Sequence, residues 1–175
     1  VLLACKGQSS VRNGEQKIDS ANTGIVYFST DNGQSWKNAS RGLPQNVKIA
    51  LGGISTSDSS LALETKENGV YIYHDSDSSW HALATDQEII EGNIGGLISY
   101  KNMLYIGTQN NGVYCKSKNS FLWKKVNEGL KNLTIRRFFI NNDKLYACTN
   151  DGFYGFDELK NEWILLYGEA GFQVN

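Results

Sequence analysis

The stretch GIVYFSTDNGQSW, Gly24–Trp36, decides the fold, because its frame of glycine, short apolar–aromatic run and tryptophan returns three times. The later copies start at Gly69-Val70-Tyr71, Gly112-Val113-Tyr114 and Gly152-Phe153-Tyr154 and end at Trp80, Trp123 and Trp163. Glycine-to-tryptophan offsets are 12, 11, 11 and 11, and successive tryptophans lie 44, 43 and 40 residues apart. A fixed period of this size marks a repeat architecture.

Working outward, a second register precedes the last three glycines. Leu61-Ala62-Leu63, Leu104-Tyr105-Ile106 and Leu145-Tyr146-Ala147 each lead to a threonine (Thr65, Thr108, Thr149) and then to a polar, Asn-containing turn. That pattern reads as strand, hairpin turn, strand. Apolar-rich runs at 47–51, 94–98 and 134–140 predict an innermost buried strand, and the residues after each tryptophan predict a short outer one. Each unit is thus a four-stranded antiparallel meander of the size of a propeller blade. The expected fold class is an all-β β-propeller with about 3.5 blades in the chain. Whole blades are expected at 46–84, 93–126 and 133–167, and a half blade at 24–40 whose two inner strands residues 6–23 cannot supply. Gly171-Phe172-Gln173-Val174-Asn175 looks like the start of a further first strand, so a fragment of a larger, poorly closed propeller is expected.

Composition agrees. The 175 residues include 18 Gly against a single Pro, with nine Tyr, seven Phe and four Trp, as expected of short strands and tight turns. Seventeen basic and eighteen acidic residues give a net charge of −1, which leaves no basic field for nucleic acid. At the amino terminus, Leu2-Leu3-Ala4-Cys5 resembles the lipobox of bacterial lipoproteins, which would make Cys5 the lipidation site and residues 1–5 the end of a signal. The alternatives are a buried strand and a chance match. Residues 6–23 are expected to be a flexible polar linker.

Ser29-Thr30-Asp31-Asn32-Gly33-Gln34-Ser35-Trp36 resembles the Asp-box, or bacterial neuraminidase repeat, Ser-x-Asp-x-Gly-x-x-Trp. All four fixed positions, Ser29, Asp31, Gly33 and Trp36, match. The second copy keeps Asp75 and Trp80 but has Asp77 at the glycine position, and the copies ending at Trp123 and Trp163 keep only the tryptophan. Gly42-Leu43-Pro44 and Gly129-Leu130 resemble interblade segments of secreted Asp-box proteins. The resemblance spans 24–175 and covers sialidases, plant cell-wall glucanases, sortilin-type receptors and photosystem II assembly factors. It implies a structural role for the Asp-box, with no catalytic role for Asp31.

Sites beyond the scaffold are sparse. A sialidase needs a three-arginine clamp, but Arg12 lies in the linker, and Arg136 and Arg137 are neighbours that point to opposite sheet faces, leaving Arg41. Glu64, Glu67, Asp75 and Asp77 are the carboxylates a different glycosidase could use, against solvated turn residues as the plainer explanation. His74 and His81 flank Asp75 and Asp77 without enough ligands for a metal. Tyr100, Tyr105, Tyr114 and Tyr146 could stack sugars or simply pack the core. Cys115 and Cys148 show no metal spacing, and no phosphate loop or other cofactor motif occurs. The function expected is a non-catalytic, exported scaffold in the bacterial cell envelope that binds a protein or carbohydrate ligand. It would meet the membrane only through a lipid on Cys5 and have no nucleic-acid partner. The rivals are part of a sialidase-like glycoside hydrolase with catalytic residues elsewhere, and the sensor propeller of an envelope signalling receptor.

Overall fold

The computed structural model describes residues 2–5, 25–57, 60–83 and 85–168. They form four antiparallel sheets that follow one another along the chain. Sheet one holds β1 (Leu2–Cys5), β2 (Val26–Ser29) and β3 (Lys37–Asn38). Sheet two holds β4 (Ile49–Ser57), β5 (Ser60–Thr65), β6 (Val70–His74) and β7 (Ser79–Leu83). After a short helix α1 (Gln87–Glu91), sheet three comprises β8 (Ile94–Tyr100), β9 (Met103–Thr108), β10 (Val113–Ser117) and β11 (Lys124–Lys125). Sheet four comprises β12 (Ile135–Asn141), β13 (Lys144–Thr149), β14 (Phe153–Asp157) and β15 (Glu162–Tyr167). Each sheet is a simple meander, and the first strands β4, β8 and β12 lie side by side.

The tryptophans occupy equivalent places at the start of the outermost strands. Trp80 and Trp163 are the second residues of β7 and β15, and Trp36 and Trp123 immediately precede β3 and β11. The turn between second and third strands is equally uniform. Thr65, Thr108 and Thr149 are buried, and each hydroxyl donates to the carbonyl of Gly69, Gly112 or Gly152 at 2.6, 2.9 and 3.0 Å. A buried hydroxyl that meets its own turn backbone leaves no unpaired polar group at the hairpin.

Sheet one differs from the two-stranded unit expected. Leu2–Cys5 pairs antiparallel with β2, in the register Leu2↔Ser29 to Cys5↔Val26, and fills the second-strand position. The pattern Leu-Leu-Ala matches Leu61-Ala62-Leu63, but twenty residues separate Cys5 from Val26 where other sheets use a short turn, and that distance conceals the pairing. The expected linker, residues 6–23, and the strand-like stretch 171–175 lie outside the described residues.

Three apolar clusters fill the three seams between sheets. Val26 and Ala39 of the first repeat meet Leu63, Tyr71 and Trp80 of sheet two. Ala62 and Val70 meet Ile94, Leu97, Tyr114 and Trp123 across the next seam, with α1 adding the fully buried Ile89. Val113, Cys115 and Val126 meet Ile135, Phe138, Tyr154 and Trp163 in the third. Two seams share a clamp. The indole N–H of Trp80 donates to the Ala39 carbonyl at 2.7 Å, and that of Trp163 to the Val126 carbonyl at 2.8 Å. The backbone N–H groups of the same tryptophans donate to Arg41 and Glu128, both at 2.8 Å. Gly42 and Gly129 sit beside these bonds at φ 91° and 84°, and an added Cβ would lie 2.2 and 2.0 Å from the tryptophan carbonyl oxygens. The Gly-Leu segments are therefore glycine-dependent on two counts, conformation and closeness.

Replacing Trp163 by Ala should cost about 3–5 kcal/mol, as expected for emptying a fully buried aromatic site. Gly129→Ala should also destabilise, because no side chain fits there. Urea unfolding of the two variants checks both outcomes.

Candidate functional site

The turn Ser29–Trp36 closes on itself. Ser29, buried at the end of β2, donates to Asp31 Oδ1 at 2.7 Å and accepts from the Gly33 N–H at 2.8 Å. The Ser35 N–H donates to Asp31 Oδ1 at 2.9 Å, and its hydroxyl to Oδ2 at 2.5 Å. The Ser35 hydroxyl, then the Ser35 amide and the Ser29 hydroxyl, hold the Asp31 carboxyl well below the usual carboxylate range. The Trp36 indole donates to the Gly33 carbonyl at 3.1 Å. These bonds occupy both oxygens of Asp31 within the turn.

The degenerate second turn is built otherwise. Asp77, rather than Asp75, accepts from the Ser79 N–H at 3.2 Å and meets His81 Nε2 at 2.8 Å. The His81 ring stacks on His74 at 4.3 Å, and Arg41 donates to the Asp77 carbonyl at 3.2 Å. The His81 hydrogen bond, followed by that of Ser79, lowers the Asp77 carboxyl. No group of three potential metal ligands occurs among the described residues. Glu67 is exposed and ion-paired with Lys48 at 2.8 Å. Arg136 donates to Asn150 at 2.6 Å, and Arg12 lies outside the described residues. Of the candidate stacking tyrosines, Tyr100, Tyr105 and Tyr114 are buried in the seams. Tyr146 is half-buried and lies flat on Phe153 at 5.1 Å. Cys115 and Cys148 are free thiols.

One candidate stands apart. Glu64, in β5, is 1% exposed. Its Oε1 accepts from the Ser55 hydroxyl at 3.3 Å, while its Oε2 is buried with no hydrogen-bond partner. Burial pushes the carboxyl up to about 7, against the opposing pull of Ser55, the Leu97 backbone N–H of β8 and the Arg137 guanidinium of β12. Glu64 thus joins three sheets at the inner, first-strand side. The groups that act on it are a hydroxyl, a backbone N–H and a guanidinium. The signal for this site is present in the repeat, since the residue before the turn threonine is Glu64, Gly107 or Cys148. Only the seam geometry shows that the glutamate is buried.

No protein-family model and no curated protein matches the chain. Solved structures do. Two crystal structures of the extracellular domain of BT4673 from B. thetaiotaomicron, ascribed to a one-component and to a hybrid two-component system, are similar at TM-score 0.66 and 19% identity. The match covers 88% and 85% of this chain but only 20% and 19% of those chains, so this chain spans about one fifth of their length. The computationally designed protein Ika4 is similar at TM-score 0.54 and 9% identity, over 78% of this chain and 81% of its own. These likenesses show a shared fold.

Glu64 generates a pH dependence with a definite sign. Its carboxyl moves from 4.5 to about 7 on folding, so the folded chain binds the proton more tightly. Its stability is full below 4.5 and falls as pH rises through 7. Glu64→Gln should flatten that slope and exceed the wild type by about 3 kcal/mol above pH 8. Urea titrations at pH 5 and pH 8 check it.

Proposed function

We propose that the chain contributes the blades of an extracellular β-propeller that recognises a ligand for a bacterial envelope receptor, without catalysis. The observation that carries this reading is the likeness of 88% of the chain to an extracellular receptor domain. Two features support it. The four meanders leave hairpin turns and strand ends at the sheet edges, which is where such scaffolds place recognition. Glu64, one of the four candidate carboxylates for a hydrolase within this chain, is sealed in a seam.

Export belongs to the same reading. A lipid on Cys5 and the strand Leu2–Cys5 are mutually exclusive states, since cleavage before Cys5 would remove three of the four residues of β1. The mass of the amino-terminal peptide from the native host separates them. A diacylglyceryl Cys5 gives the anchor, and an unmodified Cys5 within an intact Leu2–Cys5 peptide gives the strand.

The test of recognition is a thermal-shift screen of the purified chain against oligosaccharides and peptides, with product analysis alongside. One ligand class should raise the Tm without turnover, worth about 2.7 kcal/mol at a hundredfold excess over Kd. Bond cleavage that disappears in Glu64→Gln would overturn the reading in favour of a hydrolase.

A further inference from the structure

One turn of the repeat is unlike the other three. In the turn that leads to each outermost strand, the two residues before the tryptophan are Gln34-Ser35, Ser78-Ser79 and Asn161-Glu162, but in sheet three they are Phe121-Leu122. The repeats act as an internal control. Three turns of the same architecture close with polar side chains at these positions, so the fold does not require apolar ones. Phe121 and Leu122 are 82% and 74% exposed. That exposure holds with both neighbours, sheets two and four, packed against sheet three.

The turn beneath the tip is tied down. Lys116 is buried, donates from Nζ to the Ser120 carbonyl at 3.0 Å and lies 5.3 Å over the Trp123 ring. The Ser120 N–H donates to the Ser117 carbonyl at 2.9 Å, and its hydroxyl accepts from the Leu122 N–H at 3.1 Å. The two apolar side chains therefore project from a hydrogen-bonded platform. Charge is concentrated in the same sheet. From Ile94 to Lys125 there are five lysines and no acidic residue, in a chain whose net charge is −1. Lys125 pairs with Glu88 of α1, and Lys101 pairs with Glu158 and Asp143 of sheet four at 2.7 and 3.7 Å. Lys118 and Lys124 are exposed on either side of the tip.

We propose that the Phe121-Leu122 tip inserts into the surface of an anionic lipid bilayer, with Lys118 and Lys124 at the level of the headgroups. Two adjacent side chains at a turn cover far less than the about 800 Å² per partner of a stable protein interface. A bilayer surface, by contrast, accepts shallow apolar side chains and attracts the basic residues that flank them. The absence of acidic residues throughout sheet three removes the repulsion that such a surface would otherwise exert. This contact is additional to any lipid on Cys5. It stands on the composition and exposure of one turn and is independent of the receptor reading.

Flotation of the purified chain, made without a lipid on Cys5, with vesicles tests it. The wild type should bind vesicles of equimolar phosphatidylglycerol and phosphatidylcholine and not those of phosphatidylcholine alone. Phe121→Ser and Leu122→Ser should each lower the partition coefficient about tenfold. Lys118→Gln and Lys124→Gln should each lower it about fivefold, and added salt should weaken wild-type binding. All four side chains are exposed, so the far-ultraviolet spectrum should be unchanged in each variant. A wild type that ignores the anionic vesicles overturns the proposal, as does equal binding to both vesicle types or binding that survives the two serine substitutions together. Self-association of the wild type that the serine substitutions abolish, without vesicle binding, makes the tip a protein contact and overturns it as well.

Discussion

An indole N–H that crosses from one sheet to a backbone carbonyl of the sheet before it is the contact on which two of the three seams depend. A tryptophan can be buried whole only if its N–H finds an acceptor, and strand backbones offer few free carbonyls. The segment leaving each outermost strand supplies one, at Ala39 for Trp80 and at Val126 for Trp163. The tryptophan backbone returns a second bond to the same segment, at Arg41 or Glu128. That close approach leaves no volume for a side chain, and so the segment turns on Gly42 and Gly129. In these two seams the glycine requirement is a consequence of one hydrogen-bonded ring.

The middle seam is built differently. The link from sheet two to sheet three has no Gly-Leu segment and folds instead as α1, whose Ile89 fills the seam and whose Glu88 carbonyl accepts from Asn111 at 3.0 Å. The Glu88 carboxylate also pairs with Lys125 of β11, which holds the far edge of sheet three to the helix. This is the seam in which Glu64 is buried against the Leu97 amide with one oxygen unpartnered. A buried acid without a full set of donors opposes folding whenever it ionises. The helix and the Glu88–Lys125 pair therefore brace the seam that carries the least favourable polar group.

Repeat units, strand order and the tryptophan positions were legible in the sequence because each rests on a local pattern that recurs with a fixed period. What was not legible depended on distance. The strand Leu2–Cys5 carries a recognisable apolar pattern, yet its partner lies beyond a twenty-residue insertion, and its ending in Ala-Cys reads equally well as a processing signal. Glu64 was visible as a candidate carboxylate, but its burial is fixed by β8 and β12, residues from two other repeats. The tyrosines illustrate the same limit. Tyr105 and Tyr146 are equivalent in sequence, and one is sealed against Phe156 at 6.0 Å while the other lies on an open face. Periodicity specifies the position within a sheet, and only the neighbouring sheet decides exposure.

The differences in sequence among the third-to-fourth-strand turns have a physical explanation in the turns themselves. Each third-to-fourth-strand turn leaves backbone N–H groups without strand partners, and each finds an acceptor by a different route. Asp31 serves Ser35 in the first turn, and Asp77 serves Ser79 in the second. In the third, the Ser120 hydroxyl accepts from Leu122 at 3.1 Å. In the fourth, Asp157 accepts from Leu159 and Lys160 at 3.0 and 3.2 Å from one position at the end of β14. The constraint is that the amides be satisfied, and several short polar side chains can do so. Trp80 and Trp163 are under a stricter constraint, because each ring fills a seam while its N–H is paired across it. At those two positions the ring cannot be exchanged as freely as the polar turn residues can.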